Sequence, residues 1–140
     1  MLRRPLLLIA VLAGVLALAA CNGKSPTSPI DPASTPHGRL SGMVTIGPNC
    51  PVETLDHPCP TPPSAYAARK ILVYDEAKVN LLHTVDIDSS GFYSIDLVPA
   101  RYTIDFRGAG IDRSSDVPKV ITISANAVTT LDISIDTGLR

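Results

Sequence analysis

Tryptophan is missing from this 140-residue chain, and its rings are few: Tyr66, Tyr74, Tyr93, Tyr102, Phe92 and Phe106. Modules that grip sugars or bases rely heavily on stacking such rings, so a broad aromatic platform is excluded. Positive charge is not in excess either. Twelve basic against 13 acidic side chains form no patch suited to a phosphate backbone, which excludes nucleic acid as a partner. His37, His57 and His83 are scattered, and no G-x-S-x-G elbow, H-E-x-x-H helix or phosphate-cradling glycine loop occurs. The chain therefore reads as a non-enzyme, with no catalytic residues, no cofactor and no metal. Helical periodicity is absent throughout the part that would fold.

What is present begins at the N-terminus. Arg3 and Arg4 precede an uncharged apolar run from Leu6 to Ala20, the pattern of a secretory signal peptide. The run is shorter than the roughly 20 residues a spanning helix needs. Leu18-Ala19-Ala20-Cys21 resembles a lipobox, in which small residues fit the peptidase cleft and the cysteine thiol accepts the lipid. The expected signal peptide is 1–20, with lipid such as palmitate on Cys21 holding the mature chain to a membrane, since each buried methylene adds about 0.8 kcal/mol. Losing Arg3 and Arg4 leaves 10 basic against 13 acidic groups, a formal charge of −3. Asn22 follows the cysteine where Asp is the usual inner-membrane retention signal, so the expected location is the cell membrane, or the outer membrane in a Gram-negative source.

Residues 21–37 contain KSPTSPIDPASTP, with proline spaced among serine and threonine. Such a stretch makes a disordered tether, extending about 3.1 Å per residue in a polyproline conformation. From residue 38 to 140 the pattern becomes short β-branched and aromatic runs between turn residues, an all-β signature. Leu40, Gly42, Val44 and Ile46 share one face of a first strand; Ile71 to Tyr74 is apolar on both faces, as in a central strand. Val79, Leu81, Val85 and Ile87 alternate with polar residues in a third. Further strands carry Tyr93, Ile95 and Leu97; Tyr102, Ile104 and Phe106; Ile121 and Ile123. In the last, Leu131, Ile133 and Ile135 oppose Asp132, Ser134 and Asp136. Seven strands in this length predict a Greek-key β-sandwich.

Three stretches, Gly38-Arg39-Leu40-Ser41-Gly42-Met43-Val44, Asp88-Ser89-Ser90-Gly91-Phe92-Tyr93 and Leu97-Val98-Pro99-Ala100-Arg101-Tyr102, resemble the carboxypeptidase regulatory-like, or transthyretin-like, β-sandwich domains. The resemblance implies a fold of that type over most of residues 38–137. A narrower likeness, carried by Gly47-Pro48-Asn49-Cys50-Pro51-Val52-Glu53, Pro58-Cys59 and Asp136-Thr137-Gly138-Leu139-Arg140, is to uncharacterised bacterial lipoproteins with this domain, and it implies no activity.

Setting Cys21 aside for lipid leaves Cys50 and Cys59, an even pair for an oxidising compartment and an expected disulfide. They lie in a loop with Pro48, Pro51, Pro58, Pro60, Pro62 and Pro63. A loop so constrained loses little entropy on contact, and Glu53, His57 and the nearby Tyr66 mark it as a binding loop. Cys-x6-His-x-Cys matches no common zinc knuckle. Asp86-Ile87-Asp88-Ser89-Ser90-Gly91 starts like a calcium loop, but Leu97 stands where a bidentate Glu is required, so a hairpin turn is expected. Lys70 and Asn126 have the side chains of an isopeptide bond without a motif around either. The expected function is a membrane-anchored envelope lipoprotein acting as a non-enzymatic adhesion, scaffold or protein-interaction module. Its partner is an envelope protein or a glycan. The alternative is a carbohydrate-binding module, in which Tyr66, expected to be free, would stack on sugar.

Overall fold

The computed structural model describes residues 35–52, 56 and 58–139. The expected signal peptide, Cys21, most of the tether, Glu53 and His57 lie outside the described residues.

Two four-stranded sheets enclose one core. Strand β1 (Gly38–Gly47) is the axis of the first sheet, pairing antiparallel with β4 (Phe92–Leu97) on one side. On its other side run β7 (Val128–Thr130) and then β8 (Ile133–Asp136), both parallel to it. The second sheet has the order β3 (Leu81–Asp86), β2 (Lys70–Asp75), β5 (Ala100–Arg107), β6 (Lys119–Ile123). A short helix, α1 (Pro63–Ala67), precedes β2.

Period-2 alternation puts one face of each strand between the sheets. Leu40, Val44, Tyr93, Leu97, Ile133 and Ile135 from the first sheet meet Ile71, Val73, Ile104 and Ile123 from the second, all nearly inaccessible to solvent. Burying such side chains is worth about 1.5–3 kcal/mol each. As its two apolar faces predict, β2 is central, with β3 and β5 on its flanks.

Three expectations need correction. The described residues form eight strands rather than seven, because an unexpected short strand, β7, precedes the last expected one, of which only Ile133–Asp136 forms β8, with Leu131 and Asp132 as a break between the two. The two pieces keep the same register against β1, so this is one interrupted strand. Its break is bridged by Leu131 N–H donating to Ser41 O and Met43 N–H donating to Asp132 Oδ1. Second, Val79 and Leu81 are exposed, not buried with Val85 and Ile87. The Asp75 carboxylate accepts the N–H groups of Val79 and Asn80, holding them in a turn, and a register shift opposite Val73 and Tyr74 inserts Leu82. One inserted residue reverses which face a side chain occupies. Third, the Asp88–Gly91 turn is no hairpin, because it carries the chain from β3 in one sheet to β4 in the other.

The strand directions define two poles. Residues 35–37 lead into β1 at one pole, together with the turns at 76–80, 98–99 and 124–127. At the opposite pole lie the described residues of the connection after β1 (48–52, 56 and 58–69), the turn 87–91, the loop 108–118 and the tail 137–139.

Candidate functional site

The far pole is the larger and more constrained end. Cys50 and Cys59 form a disulfide with Cα atoms 6.2 Å apart, as the cysteine count predicts. The feet of this loop are tied as well. Asn49 Nδ2 donates to Ile46 O, Cys59 O and Thr61 Oγ1 at 2.9–3.1 Å, and Thr61 Oγ1 donates to Ile46 O at 3.1 Å. Thr137 closes the other side, its N–H donating to Gly47 O and its hydroxyl to Pro48 O at 2.6 Å. Proline supplies few backbone donors, so the side chains of Asn49, Thr61 and Thr137 provide the bonds that a regular turn would make with its own backbone.

Chain-closure entropy for so short a loop corresponds to about 2.5–3 kcal/mol. Replacing Cys50 and Cys59 together with Ser should lower stability by up to that amount while leaving the core strands folded. Hydrogen exchange should show faster amides within 48–62 and unchanged protection at Ile71, Val73 and Ile104. Exchange accelerated equally in the core would contradict this division of roles.

Helix α1 starts with Pro63 at its first turn, where the missing N–H costs nothing. It turns Ala65 and Tyr66 onto the core. Tyr66 is therefore half-buried rather than free, its ring lying against Gly91. Gly91 has φ +91°, and a Cβ there would strike both that ring and the Val44 carbonyl. A ring packed in this way is a poor platform for sugar stacking.

Behind α1 lies a charged pair absent from the sequence-based expectations. Arg69 Nε donates to Asp112 Oδ2 at 2.6 Å and Arg69 Nη2 to Asp112 Oδ1 at 2.9 Å, a bidentate fork. The side chains are only 8% and 1% exposed. Arg69 Nη1 also donates to Ala65 O, and Ala109 N–H donates to Asp112 Oδ2. One ion pair thus joins α1, the start of β2 and the loop 108–112. Burial pushes the Asp112 carboxyl up, but the Arg69 hydrogen bonds, the Ala109 N–H and the Arg69 charge together bring it below the usual carboxylate range.

The remaining expectations resolve locally. Asp88 Oδ1 accepts Ser90 N–H, Ser90 Oγ–H and Phe92 N–H, so this carboxylate is taken up by its own turn. The Ser90 hydroxyl, then the two N–H groups, keep its pKa below the ordinary aspartate value. Lys70 Nζ pairs with Asp86 Oδ1 at 2.6 Å across β2 and β3, whereas Asn126 lies in the β6–β7 turn with its N–H on His37 O. The structure does not bring those two together. Beside β8, a cleft of about 330 Å³ is lined by Arg113, Ser114, Ser115, Ser134 and Asp136.

No family model matches the chain, and no curated protein matches it. Solved structures do. The chain is similar to GBS52, the minor pilin of Streptococcus agalactiae, at 14% identity and a TM-score of 0.50, over 72% of this chain and 44% of that one. It also matches a DUF3823 family protein from Parabacteroides merdae at 18% identity and a TM-score of 0.45, over 73% of this chain and 47% of that one. The Bacillus anthracis TIE protein matches at 12% identity and a TM-score of 0.47, over 72% and 16%. The chain thus spans less than half the length of each. At these identities, the likeness to the pilin is one of fold.

Proposed function

We propose that this chain is a lipid-anchored envelope protein whose β-sandwich is a non-enzymatic interaction module, serving adhesion or scaffolding, presented on a proline-rich tether. The observation that carries this reading is the division of the poles. The chain leads into the sandwich at one end, while the stapled proline loop, the tail and the loop 108–118 gather at the other. A module held by lipid on Cys21 through residues 21–37 would turn that constrained end away from the membrane, and a pre-ordered surface loses little entropy when a partner binds. Within this reading, residues 1–20 are the signal peptide, removed on export, and 38–140 are the module. With β7 and β8 counted as one strand, it is assigned to the transthyretin-like Greek-key type. The location is the cell membrane, or the outer membrane in a Gram-negative cell.

Two measurements test this. Cys21→Ser should abolish palmitate incorporation and leave precursor of unprocessed mass; normal mature mass and membrane recovery in that variant would end the lipoprotein reading. Photo-crosslinking residues in the full-length protein at Val52 and at Val79, exposed at opposite poles, should give protein adducts in cells from position 52 but not from 79. Adducts from 79 alone would reverse the proposed orientation.

A further inference from the structure

The far pole carries a second surface that the proline loop does not account for. Segment 111–113 runs antiparallel to the end of β8 and the start of the tail: Arg113 and Asp136 exchange both backbone hydrogen bonds, at 2.9 and 2.8 Å. Two residues away from each, the Ile111 side chain lies across Gly138. Ile111 is nonetheless 69% exposed, and Leu139, next to Gly138, 42%. The base beneath this aliphatic corner is rigid, since the residue after Ile111 is Asp112, the buried carboxylate gripped by Arg69 and by the Ala109 N–H. A large apolar side chain presented on a fixed base loses little conformational entropy when a partner covers it.

On the other side of Arg113 opens the cleft of about 330 Å³, enough for one or two side chains of a partner. Asp136 in its lining accepts Gly138 N–H on Oδ1 at 2.8 Å, and nearby Asp116 Oδ2 accepts the N–H of the lining residue Ser134 at 2.7 Å. The Arg113 guanidinium has no ion pair among the described residues. A planar fork of donors beside serine hydroxyls matches a carboxylate.

We infer that this corner docks a protein partner that seats an aliphatic side chain against Ile111 and Leu139 and places one carboxylate on Arg113. This rests on the interaction-module reading and specifies the partner's chemistry. The test uses the full-length protein in cells, with a diazirine-bearing aliphatic residue at position 139, which keeps the surface apolar, and the same residue at position 52 as a reference. A protein adduct is expected at 139. It should fall at least tenfold with Arg113→Glu or Ile111→Asp, persist with Arg113→Lys, and map to a partner peptide containing Asp or Glu. Changing that acid to Lys should restore the adduct with Arg113→Glu. Both surface variants should keep the wild-type circular dichroism, so a loss of adduct reports docking. An adduct indifferent to residues 111 and 113, or one formed with lipid or glycan, overturns the inference. Protein adducts from 52 without any from 139 overturn it and leave the module reading standing; none from either position overturns both.

Discussion

Asp112→Ala should destabilise the domain by about 3–5 kcal/mol, because it leaves the Arg69 guanidinium buried without its counter-charge. For a domain of this size, that is a fall of roughly 15 °C or more in melting temperature. Arg69 cannot escape the penalty by releasing its proton, since guanidinium stays charged over any pH at which the fold exists. A double change to apolar residues, Arg69→Met with Asp112→Leu, should recover most of the loss, because both the charge and its need for a partner are removed together. Urea unfolding of the three proteins gives the comparison; a double variant as unstable as Asp112→Ala would mean that the hydrogen bonds to Ala65 and Ala109 matter more than the charge.

The same pair sets an acid limb. The Asp112 carboxyl titrates lower in the folded protein than in the unfolded chain, so its contribution is complete above the ordinary aspartate value of about 3.9. It is lost as pH falls through the lower folded value, where the folded state must also take up the proton. Asp112→Asn should therefore be less stable at neutral pH and show a shallower decline in acid.

The second large effect is expected at Gly42. It lies in β1 opposite Tyr93 of β4, where the strand on β1's other side is interrupted and the Leu131 carbonyl turns inward. A Cβ at position 42 would overlap that carbonyl and crowd the Tyr93 ring. The same oxygen accepts the Tyr93 hydroxyl at 2.6 Å. Gly42→Ala must push the Leu131 backbone away, combining overpacking with a broken buried hydrogen bond, a loss of about 3 kcal/mol or more. Tyr93→Phe removes only the hydroxyl and should cost about 1–3 kcal/mol, mostly for the carbonyl left unsatisfied. Burial and the nearby Asp132 charge raise the Tyr93 pKa above its usual value, so the phenol remains a donor well into the alkaline range. Because both changes act on one oxygen, the double variant should lose less than the sum of the two. Strict additivity would show that Gly42 and Tyr93 do not share Leu131 as their point of contact.

Gly42 shows how far local pattern reaches. Alternation with Leu40, Val44 and Ile46 places it on the inner face, and it is buried there. That it admits a carbonyl from a residue 89 positions away has no trace in the spacing around it. The disulfide followed from counting, once Cys21 was set aside. The break in the last strand did not, because Leu131 and Ile133 continue the alternation straight through it.

The inward faces of Leu40–Ile46, Tyr93–Leu97, Tyr102–Ile104 and Leu131–Ile135 are legible in the spacing of their apolar residues, as is the central place of Ile71–Tyr74, apolar on both faces. Each depends only on a strand's own period-2 geometry and on the cost of wetting apolar surface. Only the packed fold shows that the Asp88 turn joins two sheets, that Tyr66 packs on Gly91, and that Arg69 meets Asp112, 43 residues away. It also set Ile111 and Arg113 against the tail at the far pole. Those contacts depend on which strands become neighbours. That choice is made by the packing of two whole sheets, and a charged or apolar residue in a loop carries no periodic signal of the partner it will find.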